Sequence, residues 1–189
     1  MQAQEQRYYS TEEYLQLETA AEYKNEYYEG QILPMAGASV NHNRLALNLS
    51  TALNTTLEEQ EYEVFMNDMR LWIPQNKLYT YPDVMVVSGQ LEFLGERNDT
   101  ITNPLMIAEV LSDSTENYDR GKKFEFYRHI PSFQEYVLID QYRIYVEQFT
   151  KTADGKWLLS EYKHINSVLS LVSVQLEIQL SSIYKKVKF

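Results

Sequence analysis

A chain of 189 residues has the length of one domain with room for a sizeable core, and its 44% apolar and 23% charged content excludes disorder and fibrous repeats. A formal charge of −10, from 17 basic and 27 acidic residues, argues against coating nucleic acid or anionic membrane by bulk charge, so any polyanion must be met locally. The absence of cysteine excludes disulfides, thiolate-bound zinc or iron–sulfur sites and thiol nucleophiles, and makes the cytoplasm the expected location.

The opening MQAQEQRYYSTEEYLQLE has no basic segment followed by an apolar run, so no secretory signal is expected. No stretch approaches the roughly eighteen apolar residues of a spanning helix, so no membrane association is expected either. Ser10-Thr-Glu-Glu13 has the capping-box pattern and opens a short helix ending near Glu18. Glu26 to Met35 reads as a strand pair broken at Gly30. A long helix begins near Ser39 or Val40 and runs to about Glu59, because Leu45, Leu49, Ala52, Leu53 and Leu57 recur at helical spacing. Between Tyr62 and Pro74, YEVFM and MRLWIP are expected to form two antiparallel strands.

Val84 to Val87 and Leu105 to Leu111 are continuous apolar runs, the pattern of strands buried on both faces. From Glu116 to Ile130 the period is helical, with Asp119, Lys123, Tyr127 and Ile130 on one side, and Pro131 ends the segment. The segments 135–140, 143–150, 156–163 and 174–179 alternate at period two around Asp140-Gln141 and Asp154-Gly155 turns. The expected fold is α/β, of the α+β mixed-sheet type: one domain over residues 1–189, a central sheet covered by the long helix and the Asp119–Ile130 helix, and a strand-rich C-terminal part.

Missing motifs narrow the chemistry. There is no dinucleotide-binding glycine fingerprint, no P-loop, no HExxH and no GxSxG, and His42, His129 and His164 lack metal-ligand spacing, so no organic cofactor is expected. Glu109 is anomalous because it interrupts an apolar strand, where an ionised carboxylate is costly unless paired, hydrogen-bonded or bound to metal. Taken alone it also fits a strand-end acid bonded to an arginine or a backbone amide. Asp83 stands at the mouth of the other apolar run, and two acids on neighbouring strands can face one hard cation such as magnesium. Asp beside Pro is equally a common turn residue. Lys123, on the sheet-facing stripe of the following helix, can reach a metal-bound water or a phosphate oxygen, or can pair with Asp119. His42 points inward at the first turn of the long helix, as a site residue or a core histidine. Glu29, before Gly30, is a third acid of the site or an exposed strand-end glutamate.

Pro82-Asp83, Glu109-Val110-Leu111-Ser112 and Asp119-Arg-Gly-Lys-Lys123-Phe-Glu-Phe-Tyr127 together resemble the bacterial restriction endonucleases of the Uma family, a branch of the PD-(D/E)XK nuclease superfamily. The resemblance extends over nearly the whole chain, through the STEEYLQLE helix, the Tyr28-Glu29-Gly30 turn, Met35-Ala-Gly37 and His42. It implies a restriction endonuclease-like core, DNA as substrate, and magnesium, or manganese in its place, bound by Asp83 and Glu109; at such a site the Val110 carbonyl is a candidate further ligand. Leu111 occupies the place two after the second acid where the superfamily pattern has its lysine, and the resemblance implies that Lys123 supplies that ammonium from the next helix. Asp113 also stands where the family more often has proline.

Tyrosine supplies 16 of the aromatic residues, a composition suited to half-buried strands and a dimer surface, so a homodimer is expected. The alternative to a nuclease is a catalytically idle homodimer of the same fold that binds or regulates; the low pI, the tyrosines and the displaced lysine favour it. Charge is distributed unevenly: residues 1–30 hold seven acids and two bases, whereas 181–189 holds three lysines and no acid.

Overall fold

The computed structural model describes residues 7–189. Helix α1 (Thr11–Ala20) starts from the expected capping box: the Glu13 amide donates to Ser10 Oγ at 3.1 Å and the Ser10 amide to the Glu13 carboxylate at 2.8 Å. Strands β1 (Asn25–Tyr28) and β2 (Gln31–Pro34) form a hairpin whose turn places Glu29 and Gly30 at φ of 45° and 92°. Helix α2 (Val40–Leu57) is capped by Ser39 and buries Leu45, Leu49, Leu53 and Leu57 on one stripe. Six strands follow: β3 (Tyr62–Met66), β4 (Arg70–Ile73), β5 (Leu78–Thr80), β6 (Val84–Ser88), β7 (Thr100–Ile101) and β8 (Met106–Leu111). The next segment is helical but broken, with α3 (Glu116–Tyr118), a π-helical turn over Asp119–Lys123, and α4 (Phe124–Tyr127). The chain finishes with β9 (Glu135–Asp140), β10 (Val146–Lys151), β11 (Trp157–Tyr162), β12 (Val168–Leu171), β13 (Leu176–Gln179) and α5 (Leu180–Ile183).

The larger sheet has the order β11-β10-β9-β8-β6-β3, and within it only β8 and β9 run parallel. Parallel neighbours need a crossover, and the α3–α4 segment provides it. Every residue of β8 and β9 is buried, as the uninterrupted apolar runs require. One face packs beneath α2 together with β12, β13 and α5, through Leu45, Leu49, Val84, Val86, Val110 and Ile139 among others. The other face meets α4 and Leu71, Ile73 and Leu78, which belong to a second sheet of order β2-β1-β5-β4-β7.

The mixed α/β class thus holds, with two corrections. The helix-covered central sheet has a second sheet sharing its other face. The runs YEVFM and MRLWIP are strands, but they do not pair with each other: β3 lies against β6, and β4 against β5 and β7. Between them Asn67 adopts φ 57°, and its amide donates to the Asp83 carbonyl at 3.1 Å, so the chain turns from one sheet into the other.

Candidate active site

The register of β6 against β8 creates the site. Val84 faces Ala108 in an antiparallel pair, so Asp83, one residue before the strand, comes to the flank of Glu109. The two acids are latched through each other's backbone. The Val110 amide donates to Asp83 Oδ2 at 2.7 Å, and the Asp83 amide donates to Glu109 Oε2 at 3.3 Å. In an extended strand a residue's N–H and C=O face the same edge, so the Val110 carbonyl also looks toward the Asp83 side.

The crossover approaches Glu109 from the other side. Lys123 Nζ lies 3.2 Å from Glu109 Oε1, and the Tyr127 hydroxyl donates to the same oxygen at 2.6 Å. The ammonium is also 3.4 Å from Glu26 Oε1 and 3.4 Å from Asp119 Oδ1. It therefore sits among three carboxylates brought by β1, β8 and the π-helical turn. Asp119 Oδ1 is buried and has ion-pair proximity to Lys123 without a well-angled hydrogen bond. The Thr80 hydroxyl donates to Glu26 Oε1, and the Tyr136 hydroxyl to the Asp119 carbonyl at 3.0 Å, which fixes the surrounding elements. From the first turn of α2, His42 Nε2 reaches to 3.1 Å of Asp83 Oδ2, while its Nδ1 is buried and unpartnered.

Electrostatically, four carboxyl groups (Glu26, Asp83, Glu109 and Asp119) crowd one site, and three of them share the Lys123 ammonium. Burial pushes the Glu109 carboxyl up to about 8; Asp83 and Asp119 add to the rise, while Lys123 and the Tyr127 hydrogen bond oppose it. Burial likewise raises Asp119, against the pull of Lys123. Burial by itself would lower Lys123, but Glu109, Tyr127, Glu26 and Asp119 hold it well above its ordinary value, so it stays charged. The cluster is rich in hard oxygen donors and short of positive charge, a condition a divalent cation relieves.

A family model described as "Putative restriction endonuclease" (Uma2) matches residues 11–182. This chain belongs to the Uma2 family. Two relatives from Synechocystis sp., the "Uncharacterized protein sll1609" and the "Uncharacterized protein slr1290", are 50% and 37% identical to it. The first alignment covers 79% of this chain and 84% of the relative, the second 95% and 93%. The fold of this Uma2 member is also that of a crystal structure from Anabaena variabilis described as a "putative nuclease belonging to DUF820". The two superpose with a TM-score of 0.72 at 18% identity, over 92% of this chain and 96% of the other.

Of the residues singled out in the sequence of this Uma2 chain, Asp83, Glu109, Val110, Lys123 and His42 converge. Glu29 does not. It is exposed at the tip of the β1–β2 hairpin in a left-handed conformation, and the β1 acid that reaches Lys123 is Glu26, three residues earlier. Strand alternation puts Glu26 on the face of Tyr28, whose ring lies 5.2 Å from Phe126, next to Tyr127; that alternation is the signal that distinguishes the two acids. Among the described residues no three His, Asp or Glu side chains form a ready metal cage.

Proposed function

We propose that this chain is a metal-dependent endonuclease that hydrolyses phosphodiester bonds of DNA at the Asp83–Glu109 site. The observation that carries the reading is the reciprocal latch: two carboxylates on adjacent strands, each held by the other residue's strand, beside an ammonium that remains protonated. Asp83, Glu109 and the Val110 carbonyl would hold magnesium, or manganese in its place. This donor set fits magnesium, which takes one or two carboxylates and keeps several of its waters. Bound there, the metal would supply Lewis-acid stabilisation of the phosphate and a more acidic water.

The chain's own groups divide the remaining work. Lys123 has no free electron pair at neutral pH, so it acts as a fixed positive charge that orients a water or steadies phosphate oxygens. Glu26 and Asp119 hold that ammonium in place, and Tyr127 fixes the Glu109 carboxylate through Oε1. His42 does the same for Asp83 through Oδ2. Such pinning keeps the reacting groups within the narrow geometry that hydrolysis demands.

Incubation of the purified protein with supercoiled, linear, single-stranded and branched DNA, with magnesium or manganese, tests the reading. Cleavage by wild type and its loss in Asp83→Ala and Glu109→Gln is expected. No cleavage by wild type, or undiminished cleavage by Asp83→Ala, overturns it in favour of the idle module.

A further inference from the structure

The C-terminal segment carries Lys185, Lys186 and Lys188, all exposed or half-buried at the surface, in a protein of formal charge −10. Its backbone does not drape loosely over the surface. Asn48 Nδ2 donates to the Ile183 and Lys185 carbonyls at 2.8 and 2.9 Å, Arg44 donates to the Lys186 carbonyl at 2.8 Å, and Asn41 Nδ2 to the Lys188 carbonyl at 2.7 Å. These three α2 residues occupy one face of the helix at i, i+3 and i+7 spacing. As the tail advances from 183 to 188 its partners step back from 48 to 41, so it runs antiparallel to α2, toward the helix start. Tyr184 anchors it from the other side, its hydroxyl donating to the Asp140 carbonyl at 3.0 Å.

The track leads to the site. His42, which contacts Asp83, follows Asn41 directly. Asn41 also lies 3.4 Å from the Gln141 carbonyl, and Gln141 Nε2 donates to the Leu111 carbonyl at 2.7 Å, at the end of the strand that bears Glu109. Among the described residues no carboxylate comes within ion-pair distance of Lys185, Lys186, Lys188 or Arg44, which gathers four unpaired cations along one short stretch of surface. The polar face of α2 is thus used to hold backbone carbonyls, which leaves the ammonium groups free.

We propose that this basic track contacts the phosphate backbone of DNA and leads it to the Asp83–Glu109 site. The part concerning delivery rests on the nuclease reading; the contact itself does not. From Asn41 to Asn48 the helix rises by about 10 Å, long enough to follow neighbouring phosphates of one strand. Such a contact supplies local positive charge where the acidic site and the acidic chain as a whole would otherwise repel DNA.

The test measures binding of a short fluorescent DNA duplex to the Asp83→Ala protein across a salt series, with and without Lys185→Gln, Lys186→Gln and Lys188→Gln combined. Equal urea midpoints show that the fold is intact, and Lys188→Gln alone provides a milder variant. The combined variant is expected to bind about tenfold or more weakly near 100 mM salt. Its plot of log affinity against log salt should be shallower by about 0.9 for each phosphate that the lysines no longer neutralise. Lys151→Gln with Lys156→Gln, at the turn end of the β10–β11 hairpin, should change neither. Unchanged affinity and slope in the combined variant, an equal weakening in the distant control, or no duplex binding at all overturns the proposal. Track-dependent binding by a protein whose wild type never cleaves DNA would remove the nuclease reading and leave the track standing. Full cleavage at unchanged KM by the combined variant would do the reverse.

Discussion

Glu109 and Glu135 are both buried glutamates, 3% and 0% exposed, on the parallel pair β8 and β9, yet their surroundings are opposite in kind. Glu135 is met by neutral donors on both oxygens: Gln148 Nε2 at 2.6 Å, Thr150 Oγ1 at 3.2 Å, the Val172 and Ser173 amides at 3.0 and 3.1 Å, and Ser173 Oγ at 2.6 Å. It clasps the turn before β13 onto the sheet and asks for nothing more. Glu109 has one lysine, one tyrosine and one long amide hydrogen bond, and shares its neighbourhood with three other acids. A buried carboxylate is therefore no functional signal in itself; the signal is one whose neighbours repel it.

The sharpest test of this contrast is a pair of substitutions measured by urea unfolding in a chelator. Glu135→Ala strands several buried donors and should cost roughly 4 kcal/mol or more. Glu109→Gln should leave stability unchanged or raise it, because Lys123 keeps Glu26 and Asp119 as partners and a neutral amide can be buried without first taking up a proton. A clear loss in Glu109→Gln would make both glutamates structural. The same variant should lose any rise in melting temperature that magnesium gives to wild type.

Lys123→Gln comes next in size. Removing the one ammonium leaves Glu26, Glu109 and Asp119 close together without a positive partner, a loss of about 3 kcal/mol at neutral pH that grows as the pH rises and the raised Glu109 and Asp119 carboxyls give up their protons. A loss independent of pH would mean that Lys123 acts through packing alone.

A gentler probe is the pH dependence of the wild-type protein without metal. The folded Glu109 titrates near 8 and its unfolded counterpart near the ordinary value of 4.5, so between the two the folded state holds the extra proton. That contribution is complete below about pH 4.5 and is lost as the pH rises through about 8. Unfolding free energies measured across this window should fall with rising pH in wild type and fall less in Glu109→Gln. Parallel curves would contradict the crowding assigned to Glu109. The smallest effect belongs to Glu29→Ala, which should change stability by less than about 0.5 kcal/mol and leave DNA cleavage unaltered, since Glu29 lies at an exposed turn.

Much of this was legible in the sequence. Local chemistry marks the capping box at Ser10, and the unbroken apolar runs mark β6 and β8 as buried strands, with Asp83 and Glu109 standing out because they break or border those runs. What stays hidden is partnership across distance. The apolar content of YEVFM and MRLWIP makes both segments strands, but nothing local says that Asn67 sends them into different sheets. β5, β7 and β12 are too short to stand out in the pattern. Glu26 and Glu29 look alike as acids near a turn, and only the alternation through Tyr28 separates them. The Asp119, Lys123 and Tyr127 stripe is visible at helical spacing, but the π-helical turn inside it is not.

That turn bears on how such a sequence can change. A π-helical turn closes its hydrogen bonds one residue later than an α-helix does, so it holds one more residue than the surrounding spiral needs. Arg120, Gly121 and Lys122 fill it, and a methyl group added at Gly121 would meet no atom within 4 Å. An alanine at 121 therefore fits without displacing a neighbour. Deleting one residue there would restore α-helical winding with little net rotation of the flanking elements, because the wider turn is what absorbs the extra residue. Asp119 would then stand three residues before Lys123 instead of four, still on the same face of the helix. In aligned relatives, then, a one-residue gap between positions 119 and 123 marks the loss of the π-helical turn and not the loss of the site.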